Sequence, residues 1–268
     1  MTMPSWLDKL TAILKRDLLT AVRYRTGFAL AAMGTLAELA AFYYLSRAVG
    51  SGFRPEGQEY FPFLLVGTGF YTFLVVGVNA FLTTVEEAQR NGTLEVLMTS
   101  ATPPVTLLFL SAVSAFAAST VNLLLYLGAG FVIFGVVFQS NVPATLMMFG
   151  LSLVLAMSIG VLAAALQVAT QRGSAVIWAL SSGLWFLTGT MFPVSSLPKT
   201  LRVLSDALPI THALRGMRMA LLQGASLNAL ARDAAVLALF CAVLLPVSLL
   251  VFSHTLKRAR VEGTLSFY

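Results

Sequence analysis

Apolar residues fall into six long runs separated by short polar breaks. Each run is near the roughly 20 residues that a membrane-crossing helix needs. The first, 27–49, contains only Glu38 and, near its end, Arg47 as charges. The second, 61–82, has no charge. The third starts after Pro104 and reaches about residue 138, longer than one crossing requires. That length implies tilt, a kink near Gly128 and Gly130, or extension beyond the bilayer. The fourth, 144–168, is set off by the turn Gln139-Ser-Asn-Val-Pro143. The fifth is 174–192 and the last 234–256. The pattern predicts an all-α integral membrane protein with a six-helix transmembrane domain over 27–256.

Two stretches follow a different rhythm. In 1–26, Trp6, Leu10, Ile13, Leu14 and Leu18 share one helical face, while Lys9, Lys15, Arg16 and Arg23 lie mostly on the other. This predicts an amphipathic helix, lying in the headgroup region or packed on another protein. The same basic residues leave no uninterrupted core for a signal peptide. Residues 193–224 are punctuated by Pro193, Pro198 and Pro209, and Gly224 is placed to end a helix. Leu201, Leu204 and Leu208 recur at helical spacing. Leu214, Met217 and Leu221 do so again after Thr211, a candidate N-cap. Two helices of about ten residues are expected, both too short to cross. Either they dip into the membrane and return, shielded by protein, or they lie flat on its outer surface.

Composition narrows the class. Of 268 residues, 58% are apolar and 10% charged, with mean hydropathy +0.85. Soluble domains carry roughly 25% charged residues, so a soluble enzyme is excluded, and so is a disordered chain. The single cysteine, Cys241, excludes an intrachain disulfide. The net charge of +6 is scattered between apolar runs, which suits cytoplasmic loops and anionic lipid rather than nucleic acid. Basic residues flank the first and last runs, so both termini, including the tail 257–268, are expected in the cytoplasm. One stretch resists this rule. The segment 193–233, external in that topology, carries Lys199, Arg202, Arg215, Arg218 and Arg232. Something structural must hold those cations there.

The loop 83–103 joins the second and third runs. A charged helix continues through Glu86, Glu87 and Arg90 until Asn91-Gly92 breaks it. Thr93 can cap a new short helix, and Glu95 in its first turn suits the helix dipole. Leu94, Leu97 and Met98 form a small apolar face, and Pro103-Pro104 stops the helix. Such a face fits a partner's groove, or folds back on the bilayer.

The spacing Glu87-x4-Gly92-Thr93-Leu94-Glu95-x-Leu97-x-Thr99 resembles the coupling-helix signature of type-2 ABC transporter membrane subunits. The resemblance covers nearly the whole chain, including the broken helices before the last run. It differs in placing Pro103 later after Thr99 than the family often does, which shifts the end of the coupling helix. It implies a permease subunit of a drug, glycan or lipid exporter in a bacterial or archaeal cytoplasmic membrane. It also implies two copies of a separate ATPase that binds ATP and magnesium, and a second permease copy or paralogue.

The chain holds no visible chemistry of its own. A P-loop needs Gly-Lys, and the lysines follow Asp8, Leu14, Pro198 and Leu256. No metal-binding His/Cys cluster and no nucleophile motif occurs, so no catalytic residue and no metal ligand is assigned. Within the runs, Glu38, Asn79 and Asn122 are candidates for a translocation path or a helix interface. Ser152, Ala156, Gly160 and Ala164, four apart, predict close helix packing. Tyr43, Tyr44, Tyr60, Phe61, Phe63, Phe70 and Tyr71 predict an aromatic belt at the headgroups or an aromatic lining for cargo. An ion-coupled carrier or channel is the alternative function, although one mid-run charge and no repeated halves speak against it. An intramembrane enzyme lacks its catalytic set.

Overall fold

A computed structural model describes residues 25–90, 92, 104–170 and 173–262. All but the last two residues of the expected amphipathic helix over 1–26 lie outside these. The described residues form eight helices and no strand: α1 (Arg25–Val49), α2 (Tyr60–Arg90), α3 (Pro104–Phe134), α4 (Val142–Thr170), α5 (Gly173–Leu187), α6 (Lys199–Asp206), α7 (Pro209–Leu222) and α8 (Ala231–Glu262). Short 3-10 turns at Pro55–Gly57 and Val194–Ser196 complete the set.

Among the described residues, five helices are long and apolar enough to cross a membrane: α1, α2, α3, α4 and α8. The expected fifth span over 174–192 is helical only to Leu187. At 15 residues α5 is about 22 Å long, short of a bilayer core. Two features mark the break, one in the backbone and one from across the bundle. Gly189 takes φ 76, a left-handed turn that side-chain-bearing residues avoid. The carbonyls of Gly189 and Thr190 then turn away from the helix axis to meet a side chain from α7.

The other boundaries follow the apolar runs closely. α2 leaves the apolar run and continues as a charged helix to Arg90, as its sequence predicts. α3 passes unbroken through Gly128 and Gly130, so its length is not relieved by a kink there. It stops at Gly135, which has φ 69. α8 runs beyond Leu256 to Glu262, so the expected tail begins as helix. α7 starts at Pro209, not at Thr211. Leu208 is its N-cap and Pro209 occupies the first turn, where a missing N–H costs nothing.

α2 is the axis of the bundle. It packs against α1, α3, α4, α5 and α7, and it is buried over most of its length. α4 lies between α2 and α8. Its Ser152, Ala156, Gly160 and Ala164 are all buried, in agreement with the packing reading. A methyl at Gly160 would stand 2.5 Å from Phe81 Cδ2 and 3.2 Å from the Val78 carbonyl, so the two backbones are as close as a glycine permits. The aromatic run divides: most of it is core, while Tyr43 and Phe61 also line a pocket at one end of the bundle. Tyr60, Phe61, Phe63, Phe70 and Tyr71 are buried in the core, and Tyr44 faces outward. α1 and the outer sides of α3 and α8 expose Leu30, Leu124, Val132, Leu239 and Leu250, as lipid-facing helices do.

Candidate functional site

The short helices before the last span are not alike. α6 is exposed on most sides, with Val203 73% accessible. α7 is inserted between α2, α4 and α8, and most of its residues are buried. An apolar stripe alone would hold α7 there, but it also brings His212, Arg215 and Arg218 inside.

Arg218 is 2% exposed and has no carboxylate partner among the described residues. Its Nε donates to the Phe63 carbonyl at 3.2 Å, Nη1 to Gly189 at 2.9 Å and Nη2 to Thr190 at 2.7 Å. The guanidinium carbon lies 3.5 Å from the centre of the Phe63 ring. The cation is therefore solvated by three backbone dipoles and an aromatic face instead of water. The planar fork joins α2, the turn after α5 and α7 in one node. A lysine carries a point charge and could not reach three divergent carbonyls at once.

One turn earlier, His212 and Arg215 meet Asp233 of α8. His212 Nδ1 is 2.6 Å from Asp233 Oδ1, and Nε2 is 2.9 Å from the Asp206 carbonyl. Both ring nitrogens thus face acceptors. Arg215 holds Asp233 through Nε at 3.2 Å and through Nη2, and its Nη1 is 3.9 Å from Asp206. This cluster ties α7 to α8 and to the end of α6. Ser205 adds a bond of 2.5 Å to the Leu187 carbonyl at the end of α5. Of the cations in the segment 193–233, Arg215 and Arg218 are spent on internal bonds.

The breaks expected in this segment fall where the chain turns. Pro193 is buried ahead of the 3-10 turn, Pro198 caps α6, Pro209 opens α7, and Gly224 follows α7 with φ 61. Gly224 also lies against the Gln139 carbonyl, 2.8 Å from where a Cβ would stand.

The coupling residues are only partly within the described chain. Glu87 is exposed near the end of α2, beside a Glu86–Arg90 ion pair of 2.5 Å. Gly92 takes φ 63, and its N–H closes a turn on the Gln89 carbonyl at 3.2 Å. Thr93, Leu94, Glu95, Leu97 and Thr99 lie outside the described residues. At the same end of the bundle, Gln89 and Gln167 are buried between α2 and α4, with Gln167 Nε2 donating to Gln89 Oε1 at 3.3 Å.

The candidates inside the spans are not brought together. Glu38 is exposed on α1, Asn122 is exposed on α3, and Asn79 is half-buried on α2. What does converge is a pocket of about 760 Å³ at the other end of the bundle. Its walls come from the end of α1, the start of α2, the end of α3 and the end of α7. Tyr43, Phe61 and Phe134 form a triangle of rings with centroids 5.1 to 5.4 Å apart. Arg47 donates to the Tyr43 hydroxyl at 2.8 Å and lies over its ring. Gln58 is 9% exposed, and neither atom of its amide has a hydrogen-bond partner among the described residues.

Sequence reading missed Arg218 as a structural node and missed Gln58 altogether. For Arg218 the available signal was a cation on the apolar side of a short helix in a segment rich in cations. Gln58 sits in a loop and gave no signal.

No curated protein matches the chain. Residues 32–250 match the model of a family described as ABC-2 family transporter protein, a span that holds α2 to α7 whole together with most of α1 and α8. The chain is therefore a multi-pass helical membrane protein that belongs to the ABC-2 transporter family, whose members are typically permeases without a nucleotide site of their own.

Proposed function

We propose that this permease is the membrane half of an ATP-driven exporter, and that it moves an amphiphilic or lipid-linked cargo out of the cytoplasm. The observation that carries the reading is the family match over residues 32–250, which includes the loop bearing Glu87, Gly92 and the Thr93-Leu94-Glu95-x-Leu97-x-Thr99 motif. The rigid extension of α2 to Arg90 and the turn at Gly92 support it, because they set the loop off from the apolar run on a stiff stalk. In this reading Leu94 and Leu97 dock in a groove of a separate ATPase, which holds ATP and magnesium. Two ATPases serve two permease chains. Both termini and the loop 83–103 lie in the cytoplasm of a bacterial or archaeal cell, with α5 as a short crossing completed by the turn at 188–192. Segment 193–224 is then re-entrant from the outer face, and the node at Arg218 holds α7 inside the bundle.

The test is Leu97→Asp, which puts a charge on the docking face. The variant should insert normally, lose its ATPase on co-purification and lose transport. Normal co-purification together with normal transport would sink the docking proposal.

A further inference from the structure

We propose that a second pocket, between the end of α1 and the start of α2, holds the headgroup of a resident bilayer phospholipid, phosphatidylethanolamine, and that this lipid ties α1 to the bundle. The pocket joins two arginines, a glutamate and a tyrosine hydroxyl, none of which has found its natural partner within the chain. Such a lipid is retained and not moved, so the proposal does not depend on the transport reading.

The place suits a lipid. Of the five long helices α1 is the least buried, with 6% of its apolar window covered against 78% for α2, and its main neighbours are α2 and α3. Beside its last turn lies a pocket of about 330 Å³, within the range of small-molecule sites. Ser46 and Arg47 of α1, Ser51 and Arg54 of the linker, Glu59 and Tyr60 at the start of α2 form its polar wall. Here α1 and α2 leave their apolar runs, which is the level of the headgroups. Leu45 and Val49 are exposed on the same turns of α1 and give acyl chains a surface to lie on.

The charges are unspent. Arg54 has no hydrogen bond or ion pair among the described residues, and Glu59 meets no cation. Arg47 donates to the Tyr43 hydroxyl at 2.8 Å and meets no carboxylate. Opposite charges thus line one pocket without pairing. Tyr60 is 5% exposed, and its hydroxyl has no partner among the described residues. Unlike the amide of Gln58, that hydroxyl is not sealed from solvent, so a ligand can reach it.

This set selects a zwitterion. A lone phosphate would gain two guanidinium groups but face Glu59, and a lone ammonium would meet the reverse. Phosphoethanolamine carries both charges two carbons apart. Its phosphate oxygens accept from Arg47, Arg54 and Tyr60, while its primary ammonium donates to Glu59. A choline headgroup has the same charges, but its quaternary nitrogen has no N–H to donate. The larger pocket shares Ser46, Arg47 and Glu59 but lacks Arg54 and Tyr60, so it offers a phosphate no second cation.

The test uses the full chain, purified in detergent and stripped of lipid. Dioleoyl phosphatidylethanolamine, phosphatidylcholine and phosphatidylglycerol are titrated separately and followed by native mass spectrometry. Free phosphoethanolamine is the arm for a soluble source. One saturable phosphatidylethanolamine site is expected, about fivefold tighter than for either other lipid, the upper end for an exposed ion pair. Glu59→Gln should abolish the preference over phosphatidylglycerol, and Arg54→Gln should weaken both lipids. Without lipid both variants should unfold at the wild-type midpoint, since neither side chain makes a bond within the described chain. Tyr60→Phe, which removes only the hydroxyl, should also weaken phosphatidylethanolamine and decides the matter if Arg54→Gln misassembles. Bound phosphatidylethanolamine should raise the unfolding midpoint of the wild type and not of Glu59→Gln. Equal binding of the three lipids by the wild type, or wild-type selectivity in folded Arg54→Gln and Glu59→Gln, would overturn the site. Free phosphoethanolamine binding as tightly as the lipid would overturn the lipid as its source, and binding without a rise in midpoint would overturn the anchoring role.

Discussion

Gly67 makes the seat of Arg218: a methyl group at residue 67 would stand 1.9 Å from Nη2 of Arg218 and 2.6 Å from the Thr190 carbonyl oxygen. The close approach of α2 to the turn after α5 exists because residue 67 has no side chain. The guanidinium fills that gap, and three carbonyls and the Phe63 ring hold it.

Gly67→Ala is therefore expected to expel the Arg218 head or push the 188–190 turn away. Either change loses bonds worth about 1–2 kcal/mol each in a membrane bundle. The thermal midpoint of the purified protein should fall. The same substitution in an Arg218→Met background should cost less, since the nearer of the two clash partners is gone and only the Thr190 carbonyl remains. If the two costs add without interaction, the glycine does not serve the arginine.

Asp233 is the anion of the buried cluster, at 2.6 Å from His212 and bonded twice by Arg215. Asp233→Asn keeps the shape but leaves Arg215 without its buried counter-charge and His212 without a carboxylate partner. Removing one partner of a buried pair costs about 3–5 kcal/mol, and the partial exposure of Arg215 puts this site at the lower end. Denaturation in detergent should report that loss. A variant as stable as the wild type would show that solvent, not Asp233, neutralises Arg215.

Gln89 and Gln167 face each other between α2 and α4 with one hydrogen bond of 3.3 Å, leaving Gln89 Nε2 and Gln167 Oε1 without a partner among the described residues. Gln89→Leu alone strands the second amide, at a cost of about 1–3 kcal/mol. The double change Gln89→Leu with Gln167→Leu should be milder than either single change, because no buried polar group remains. Unfolding midpoints of the three variants decide it, and a double variant worse than both singles would show that the pair has a further partner.

Topology is open to cysteine labelling in a Cys241→Ser background. Ser205 is fully buried and would label poorly from either side, whereas Val203 is exposed on the same helix. A cysteine at Val203 should react with an impermeant maleimide added outside intact cells. Reaction only after the cytoplasmic face is opened would reverse the proposed orientation.

Much of the fold was legible in the chain because a membrane acts on sequence locally. Every residue of a crossing helix meets the same apolar solvent, so the runs at 27–49, 61–82, 144–168 and 234–256 mark α1, α2, α4 and α8 without reference to their neighbours. Small residues four apart marked the buried face of α4 for a similar reason, since Ser152, Ala156, Gly160 and Ala164 share one side of a single helix. Prolines and Gly224 marked the breaks around α6 and α7 through their own backbone limits.

Other features depended on residues far apart in sequence. The expected fifth span ended early at Leu187 because Arg218, nearly thirty residues later, captures the carbonyls of the turn at 189–190. The aromatic residues of α2 are core rather than belt because α3, α4 and α7 cover them, which composition cannot reveal. A buried arginine reads in the sequence like any surface cation. Its seat is made by Gly67, Phe63 and the turn at 189–190, and only the packed bundle brings them together. The pocket at Gln58 is of the same kind. The sequence determined that this chain crosses a membrane and where its helices break, because hydropathy and backbone geometry are properties of short segments. Which polar groups are buried, and against what, was decided by the tertiary structure, because desolvation is a property of the neighbours that close around a side chain.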